Sequence, residues 1–136
     1  MKKDKIVIYT NKNCPYCKQV KEGLTEKNIK FTNKLTAEHK DEWQNIVDLT
    51  KMATVPTIQY KNNYFVAGRD FGSLEHVIDL VDNFNESTFP VDRQLLELTK
   101  TLNYNISMAF QRTDQLLRQI EQNYKNLFED EETKTE

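Results

Sequence analysis

The sequence has no strong excess of charge of either sign and no long apolar run. Its 19 basic residues are interleaved with 21 acidic ones, so it offers no basic patch dense enough to bind nucleic acid. The apolar run in residues 1–10 turns polar at Asn11, and it is too short for a signal-peptide core or a membrane span. We therefore expect a cytoplasmic protein with neither nucleic acid nor a membrane as a partner.

Cysteine and histidine are also scarce, with two of each. Cys14 and Cys17 form a C-x-x-C pair, which in a reducing compartment is rarely a structural staple. Zinc usually takes four ligands, and neither His39 nor His76 has the spacing of a zinc finger. We expect no metal site. Redox chemistry is favoured, with zinc ligation and an inert buried pair as the alternatives.

Apolar runs and amphipathic stretches alternate along the first 84 residues. The predicted strands are 5–10, 29–35, 55–60 and 64–67, and the predicted helices are 15–28, 38–51 and a last one capped by Ser73. Helices between the early strands imply parallel pairing, while Lys61-Asn62-Asn63 suits a tight antiparallel hairpin. The order β-α-β-α-β-β-α predicts an α/β sandwich of the thioredoxin type over residues 1–84.

The rest of the chain has a different pattern. Residues 85–90 are interpreted as a linker, and 91–128 contain no glycine or proline. Two series recur there every seven residues, offset by four: Leu95, Leu102, Ala109 and Leu116, and Ile106, Thr113, Ile120 and Leu127. This spacing predicts one long amphipathic helix. Residues 129–136 are predicted to be a disordered acidic tail.

The apolar stripe of this helix is wide, because four further residues flank the heptad series: Leu96, Phe110, Leu117 and Tyr124. A straight helix of about 35 residues spans on the order of 50 Å, which exceeds the width of a small domain. We therefore expect residues 91–128 to self-associate or to bind a partner protein, with Thr113 and Asn123 as polar interruptions that set register.

The Cys14-Pro15-Tyr16-Cys17 motif carries the strongest chemical signal. Thiol exchange needs a nucleophilic thiolate and a second thiol close enough to resolve the mixed disulfide. A cysteine at a helix start meets free backbone N–H groups and the positive end of the helix dipole, and both stabilise a thiolate. We expect Cys14 to be the nucleophile, and Cys17, one turn into the helix, to be more buried and to act second.

Together with this motif, Thr54-Val55-Pro56 gives the sequence its resemblance to the glutaredoxin family, over residues 5 to about 84. The resemblance implies a cis peptide bond before Pro56, which would face the cysteines. Val55 would then offer its backbone to an extended thiol peptide. It also implies that Tyr16 lies at the entry to Cys14 and packs on the bound thiol substrate. Without the resemblance, Tyr16 is interpreted as a simple spacer, and a proline at a strand start more often only marks the boundary of the strand.

The resemblance extends to Gly68-Arg69-Asp70, which matches a Gly-Gly-Cys-Asp stretch that holds the γ-glutamyl end of glutathione in the family. Arg69 replaces the cysteine of that stretch. Lys12 stands one position after the place of a lysine that pairs with the glycyl carboxylate of glutathione. Without the resemblance, these residues are a polar turn and a solvated loop lysine.

The resemblance implies a thiol–disulfide oxidoreductase that reduces protein disulfides or glutathione mixed disulfides, itself reduced by glutathione or by a flavoprotein such as thioredoxin reductase. Ribonucleotide reductase is a plausible client. Some family members hold a glutathione-bridged 2Fe–2S cluster between two subunits, which these residues do not indicate. The alternative is a binding or oligomerisation module that uses the redoxin domain as a scaffold and residues 91–128 as its working part.

Overall fold

The computed structural model describes residues 4–85 and 92–134, with side chains described as far as residue 129. Its strands are β1 (Ile6–Thr10), β2 (Phe31–Leu35), β3 (Thr57–Tyr60) and β4 (Asn63–Val66). Its helices are α1 (Pro15–Glu26), α2 (Lys40–Thr50), α3 (Leu74–Asn83) and α4 (Arg93–Lys134). The chain divides into two compact units, Met1–Thr101, here called the body, and Leu102–Glu136, here called the distal region.

The four strands form one mixed sheet in the order β2-β1-β3-β4. β1 pairs in parallel with β2, with Ile6 opposite Phe31, and antiparallel with β3, with Ile8 opposite Ile58. The predicted fold class is confirmed. The expectation of parallel pairing holds only for β1 and β2, because α2 joins β2 to a strand that lies on the other side of β1 and runs in the opposite direction.

The hairpin between β3 and β4 is tighter than predicted. Lys61 and Asn62 have φ of 46° and 57°, and Asn63 is already the first residue of β4. Two consecutive residues with positive φ are typical of the two-residue turns that match the twist of a hairpin. The turn therefore comprises two residues instead of three.

The central strand explains where the core lies. All five residues of β1 are buried, because the sheet continues on both sides of this strand and helices cover its faces. One face packs in the larger cluster, which comprises Ile6, Ile8, Val20, Leu24, Ile58, Phe65, Ala67, Phe71 and Val77. The other face carries a smaller cluster of Val7, Tyr9 and Ile46, with Trp43 packed against it.

The predicted C-terminal helix is present as α4, but its bounds differ. It begins at Arg93 and continues to Lys134, so the segment from Glu129 that was interpreted as a disordered tail is helical as far as Lys134. Glutamate and lysine are strong helix formers, and a preformed helix is extended at little cost. The predicted linker, 85–90, falls outside the described residues except for Asn85. Over the described helices, none is apolar and long enough to cross a membrane.

Candidate active site

The two cysteines lie at the start of α1, where the sequence places them for a local reason. Cys14 is the N-cap residue with extended backbone angles, and Pro15 takes the first helical position, where no amide donor is lost. The Cys14 side chain accepts a hydrogen bond from the Cys17 N–H at 3.1 Å. The two residues form a disulfide across a Cα–Cα distance of 5.2 Å. The site is therefore described in its oxidised state.

Exposure distinguishes the two sulfur-bearing residues. Cys17 is 1% exposed, whereas Cys14 is partly exposed. The first turn of α1 contains no acidic residue, so no negative side chain there opposes the dipole of the helix. An attacking thiolate on Cys14 would be stabilised by the amide N–H that already points at its sulfur. The geometry thus suits Cys14 as the nucleophile and Cys17 as the resolving thiol.

The Thr54-Val55-Pro56 segment lies against this pair. The Val55–Pro56 peptide bond is cis, as the resemblance implied. The Val55 carbonyl oxygen is 4.0 Å from the Cys14 Sγ. The Thr54 carbonyl oxygen accepts a hydrogen bond from the Thr57 hydroxyl at 2.7 Å, which fixes the turn just before β3. Pro56 is buried, while Val55 and Thr54 are partly exposed beside the disulfide.

Tyr16 is held by the core. Its ring packs against Phe71, with ring centroids 6.2 Å apart, at the margin of the larger cluster. Its hydroxyl oxygen is buried without a hydrogen-bond partner among the described residues, and desolvation raises the pKa of Tyr16 above its ordinary value. The contact with Phe71 ties the C-x-x-C motif to the loop that follows β4.

That loop contains Gly68-Arg69-Asp70 and meets the proline segment. The Ala67 N–H donates to the Pro56 carbonyl oxygen at 3.2 Å, and the Gly68 N–H donates to the Phe71 carbonyl oxygen at 2.8 Å. Gly68 has φ of 85°, a conformation that other residues rarely adopt, and it is exposed. The structure therefore brings this loop, the cis proline and the cysteine motif together.

Asp70 is already engaged within the protein. Its Oδ2 accepts hydrogen bonds from the Val66 N–H at 2.7 Å and from the Arg69 Nε at 2.9 Å. The side chain is 14% exposed. An incoming cation would have to share this carboxylate with the guanidinium that now compensates it.

Arg69 is placed differently from its prediction as a substrate-binding residue. Its side chain is 1% exposed and faces the first turns of α4, with Nη2 at 2.7 Å from Glu97 Oε2. Nη2 also donates to the Tyr64 carbonyl oxygen at 3.1 Å, and Nη1 to the Thr101 hydroxyl at 3.3 Å. A guanidinium with these four partners, Asp70 included, fixes the fold and is not available to a substrate.

Glu97 and Thr101 are therefore structural neighbours of the site that the sequence analysis missed. The Glu97 side chain is 3% exposed, and the Thr101 hydroxyl donates to the Thr50 carbonyl oxygen at 2.6 Å. Burial raises the pKa of Tyr64, and the negative charge of Glu97 raises it further. The sequence offered only two separate hints, a glutamate between Leu96 and Leu98 and an arginine in the place of the family's cysteine, and neither hint pointed to the other residue.

Lys12 lies in the loop between β1 and α1 and is exposed. Next to it, the Asn13 N–H donates to the Asn11 side-chain oxygen at 3.2 Å, which shapes the loop. Its role in substrate binding stays a prediction. Within residues 4–85 and 92–129, no three His, Cys, Asp or Glu side chains are grouped as metal ligands would be.

The comparisons with known proteins agree with this site. The family model for Glutaredoxin matches residues 6–65. A relative from Clostridium pasteurianum, described as an uncharacterized glutaredoxin-like 8.6 kDa protein in a rubredoxin operon, is 38% identical over 61 residues. The match covers 45% of this chain and 81% of that protein. The chain belongs to the glutaredoxin family. The family model includes both cysteines and the cis proline, and it ends before Gly68 and α4.

Proposed function

We propose that this glutaredoxin-family protein is a dithiol oxidoreductase that reduces disulfides in client proteins and glutathione mixed disulfides in a reducing compartment such as the cytoplasm. One observation carries the proposal. A partly exposed Cys14 caps the start of a helix, beside the cis proline, with a buried Cys17 in disulfide distance. An inert buried pair would have both sulfurs shielded.

The reaction has two exchange steps. The Cys14 thiolate attacks one sulfur of the client disulfide, so that a mixed disulfide forms and the other client sulfur leaves as a thiolate, which takes a proton. The Cys17 thiolate then attacks the Cys14 sulfur, which closes the Cys14–Cys17 disulfide and releases the second client thiol. The client gains two electrons and the protein loses two. Two molecules of glutathione, or a flavoprotein reductase, return the pair to the dithiol.

The backbone beside the disulfide suits a peptide client. Val55 lies just outside β3 and next to Cys14, so an extended segment that carries the target disulfide could pair with its backbone. Ribonucleotide reductase is the client that we propose on the strength of the family resemblance. Glutathione could be held by the Gly68 loop, but Asp70 is compensated by Arg69, and this makes the choice of reductant the first question to test.

The test compares two reductants on the same protein. Reduction of a glutathione mixed disulfide is followed with glutathione, glutathione reductase and NADPH. Reduction of a protein disulfide is followed with thioredoxin reductase and NADPH. We expect turnover in at least one system and its loss in Cys14→Ser, because that variant has no nucleophile. Cys17→Ser is the informative companion, since it should lose protein disulfide reduction while it accumulates a mixed disulfide on Cys14. The absence of turnover in both assay systems would contradict the proposal.

A second candidate function rests on the exposed apolar stripe of α4. In that case the redoxin domain is a scaffold and binding through α4 is the activity. Cys14→Ser separates the two, because it abolishes disulfide exchange and leaves α4 unchanged. A physiological partner whose activity still responds normally to the Cys14→Ser protein would favour the scaffold over the enzyme.

A further inference from the structure

The first turns of α4 contact the rest of the body through polar side chains, which is the reverse of an ordinary amphipathic helix. Glu97 and Thr101 are buried, and they bind Arg69 and the Thr50 carbonyl oxygen. Leu95, in contrast, is 64% exposed. The heptad stripe that starts at Leu95 is therefore not used to hold the helix on its own domain. The apolar stripe is therefore available for contact with another molecule.

The stripe continues through the distal region. Nine large apolar side chains there are between 46% and 72% exposed: Leu102, Ile106, Phe110, Leu116, Leu117, Ile120, Tyr124, Leu127 and Phe128. Together they present on the order of 1,000 Å² of surface per chain, given the roughly 150–250 Å² of a large side chain, and a standard stable interface buries about 800 Å² per partner. One continuous helix face thus suffices for a stable association.

The charges of this segment identify a suitable partner. The part of the distal region that bears the stripe, residues 102–129, carries three basic and three acidic side chains and no net charge: Arg112, Arg118, Lys125, Asp114, Glu121 and Glu129. Four further acidic residues and one lysine follow in residues 130–136, after the last apolar residue of the stripe. Arg118 pairs with Asp114 at 2.9 Å along the same helix, and Lys125 pairs with Glu121 at 3.5 Å. A neutral, internally paired surface does not repel a second copy of itself, and it offers little to an anionic membrane or to a strongly charged protein.

The polar residues of the stripe favour one orientation. From Leu102 to Leu127 the two heptad series together have eight positions, of which Thr113 and Asn123 are polar. In a parallel, in-register pair each of them meets its own copy, and the two Asn123 amides can hydrogen-bond across the interface. In an antiparallel pair centred on the series, Asn123 would face Ile106, so that its side-chain amide would lack a partner, whereas the Thr113 hydroxyl, which donates to the Ala109 carbonyl oxygen at 2.9 Å, does not distinguish the two orientations.

We propose that α4 is the self-association surface of this protein, and that a second copy of the chain covers the stripe in parallel, in-register helix packing. The proposal does not depend on the proposed redox function, since it concerns a surface that no step of disulfide exchange uses. The apolar stripe is wide, because Phe110, Leu117 and Tyr124 lie beside the heptad series, and this width accommodates two or more copies.

Sedimentation equilibrium of the full chain under reducing conditions, which excludes disulfide cross-links, tests the association. We expect a mass of two or more chains. Leu116→Asn combined with Ile120→Asn should raise the dissociation constant by about tenfold or more, since it removes two neighbouring apolar residues of the heptad series. Gln111→Asn combined with Gln115→Asn is the matched control, with the same spacing and the same new residue on the opposite face, and it should associate like the unmodified chain.

Orientation is tested by nitroxide labels on Asn126→Cys in a background that lacks Cys14 and Cys17. Parallel packing brings the two labels close together, whereas the antiparallel pair would separate them by about 35 Å along the axis. A long distance would overturn the parallel register.

A full chain that is monomeric at micromolar concentration would overturn the proposal, and so would equal weakening by the control substitutions. Co-sedimentation of such a monomer with anionic vesicles would instead assign the stripe to a membrane surface.

Discussion

The body and the distal region treat their apolar residues in opposite ways. In the body, Ile8, Val20, Leu24 and Val77 are fully buried between the sheet and its helices. In residues 102–129 none of the side chains is buried, although leucine and isoleucine are as regularly spaced there as in any core helix. The difference shows that the body is stabilised by contacts among its own buried residues, whereas residues 102–129 carry an exposed apolar face.

The same contrast applies to charge. Arg69 in the body has a side chain that is 1% exposed, whereas the side chain of Arg118 in the distal region is 77% exposed, and each lies within 3 Å of a carboxylate oxygen. An exposed charge that loses its partner is solvated by water at little cost. A buried charge that loses its partner has no water to solvate it. Similar distances therefore carry very different consequences for stability.

Replacement of Arg69 should have the largest effect. Arg69→Met removes the guanidinium that the buried Glu97 shares with the partly exposed Asp70 and leaves Glu97 with only the Lys100 ammonium at 3.5 Å, so we expect the free energy of unfolding of the body to fall by about 3–5 kcal/mol. Arg118→Met is the matched change in the distal region, with an expected effect of about 0–1 kcal/mol. Urea denaturation followed by the fluorescence of Trp43, the only tryptophan, measures the loss in the body, and the helical circular dichroism signal measures the effect of Arg118→Met on the distal region.

A second variant tests the cause of that loss. Addition of Glu97→Met to Arg69→Met removes the more buried of the two carboxylates that have lost the guanidinium, so part of the lost stability should return. If the double variant is less stable than Arg69→Met alone, loss of packing and not unpaired charge would explain the effect. If Arg118→Met is as damaging as Arg69→Met, burial does not distinguish the two pairs.

A leucine-to-alanine pair sharpens the apolar side of the comparison. Leu24→Ala opens a cavity in the larger cluster and should lower the stability of the body by about 2–5 kcal/mol. Leu117→Ala removes the same atoms from an exposed site and should leave the Trp43 transition in place. Its expected effect is weaker association, measured by sedimentation. A shift of the Trp43 transition in Leu117→Ala would contradict the independence of the two regions.

The fold was predictable because its signals are local. The β-branched run in β1, the proline after Cys14 and the serine cap of α3 each act on neighbouring residues, and the structure confirms all three. The antiparallel pairing of β1 with β3 was not predictable in this way, because it depends on which side of β1 the chain returns to after α2. Periodicity within an element carries no information about that choice.

The site was predictable only where the motif specifies it. Cys14, Cys17 and Pro56 follow from spacing and family resemblance, and the structure brings them together. The pairing of Arg69 with Glu97 joins residues 28 positions apart through charge, and neither position has a sequence pattern that points to the other. A buried pair of this kind becomes visible only when the start of α4 is seen against the loop after β4.

The smallest expected effect concerns the pH dependence of an exposed pair in the body. Glu42 accepts from the Lys34 ammonium at 2.6 Å and from the Tyr9 hydroxyl at 3.1 Å, and these hydrogen bonds, with Lys34 the larger cause, hold the pKa of Glu42 below its ordinary value of 4.5. A carboxyl whose pKa is lowered by folding stabilises the folded state above its ordinary pKa, and this contribution is lost as pH falls through the lowered value.

Glu42→Gln should therefore lower the urea midpoint slightly at pH 7 and not at pH 2. Glu121→Gln, in an exposed pair of the distal region, should leave the Trp43 midpoint unchanged at both pH values. An equal loss in Glu42→Gln at pH 7 and pH 2 would assign the effect to packing, because a protonated Glu42 and a glutamine carry the same charge.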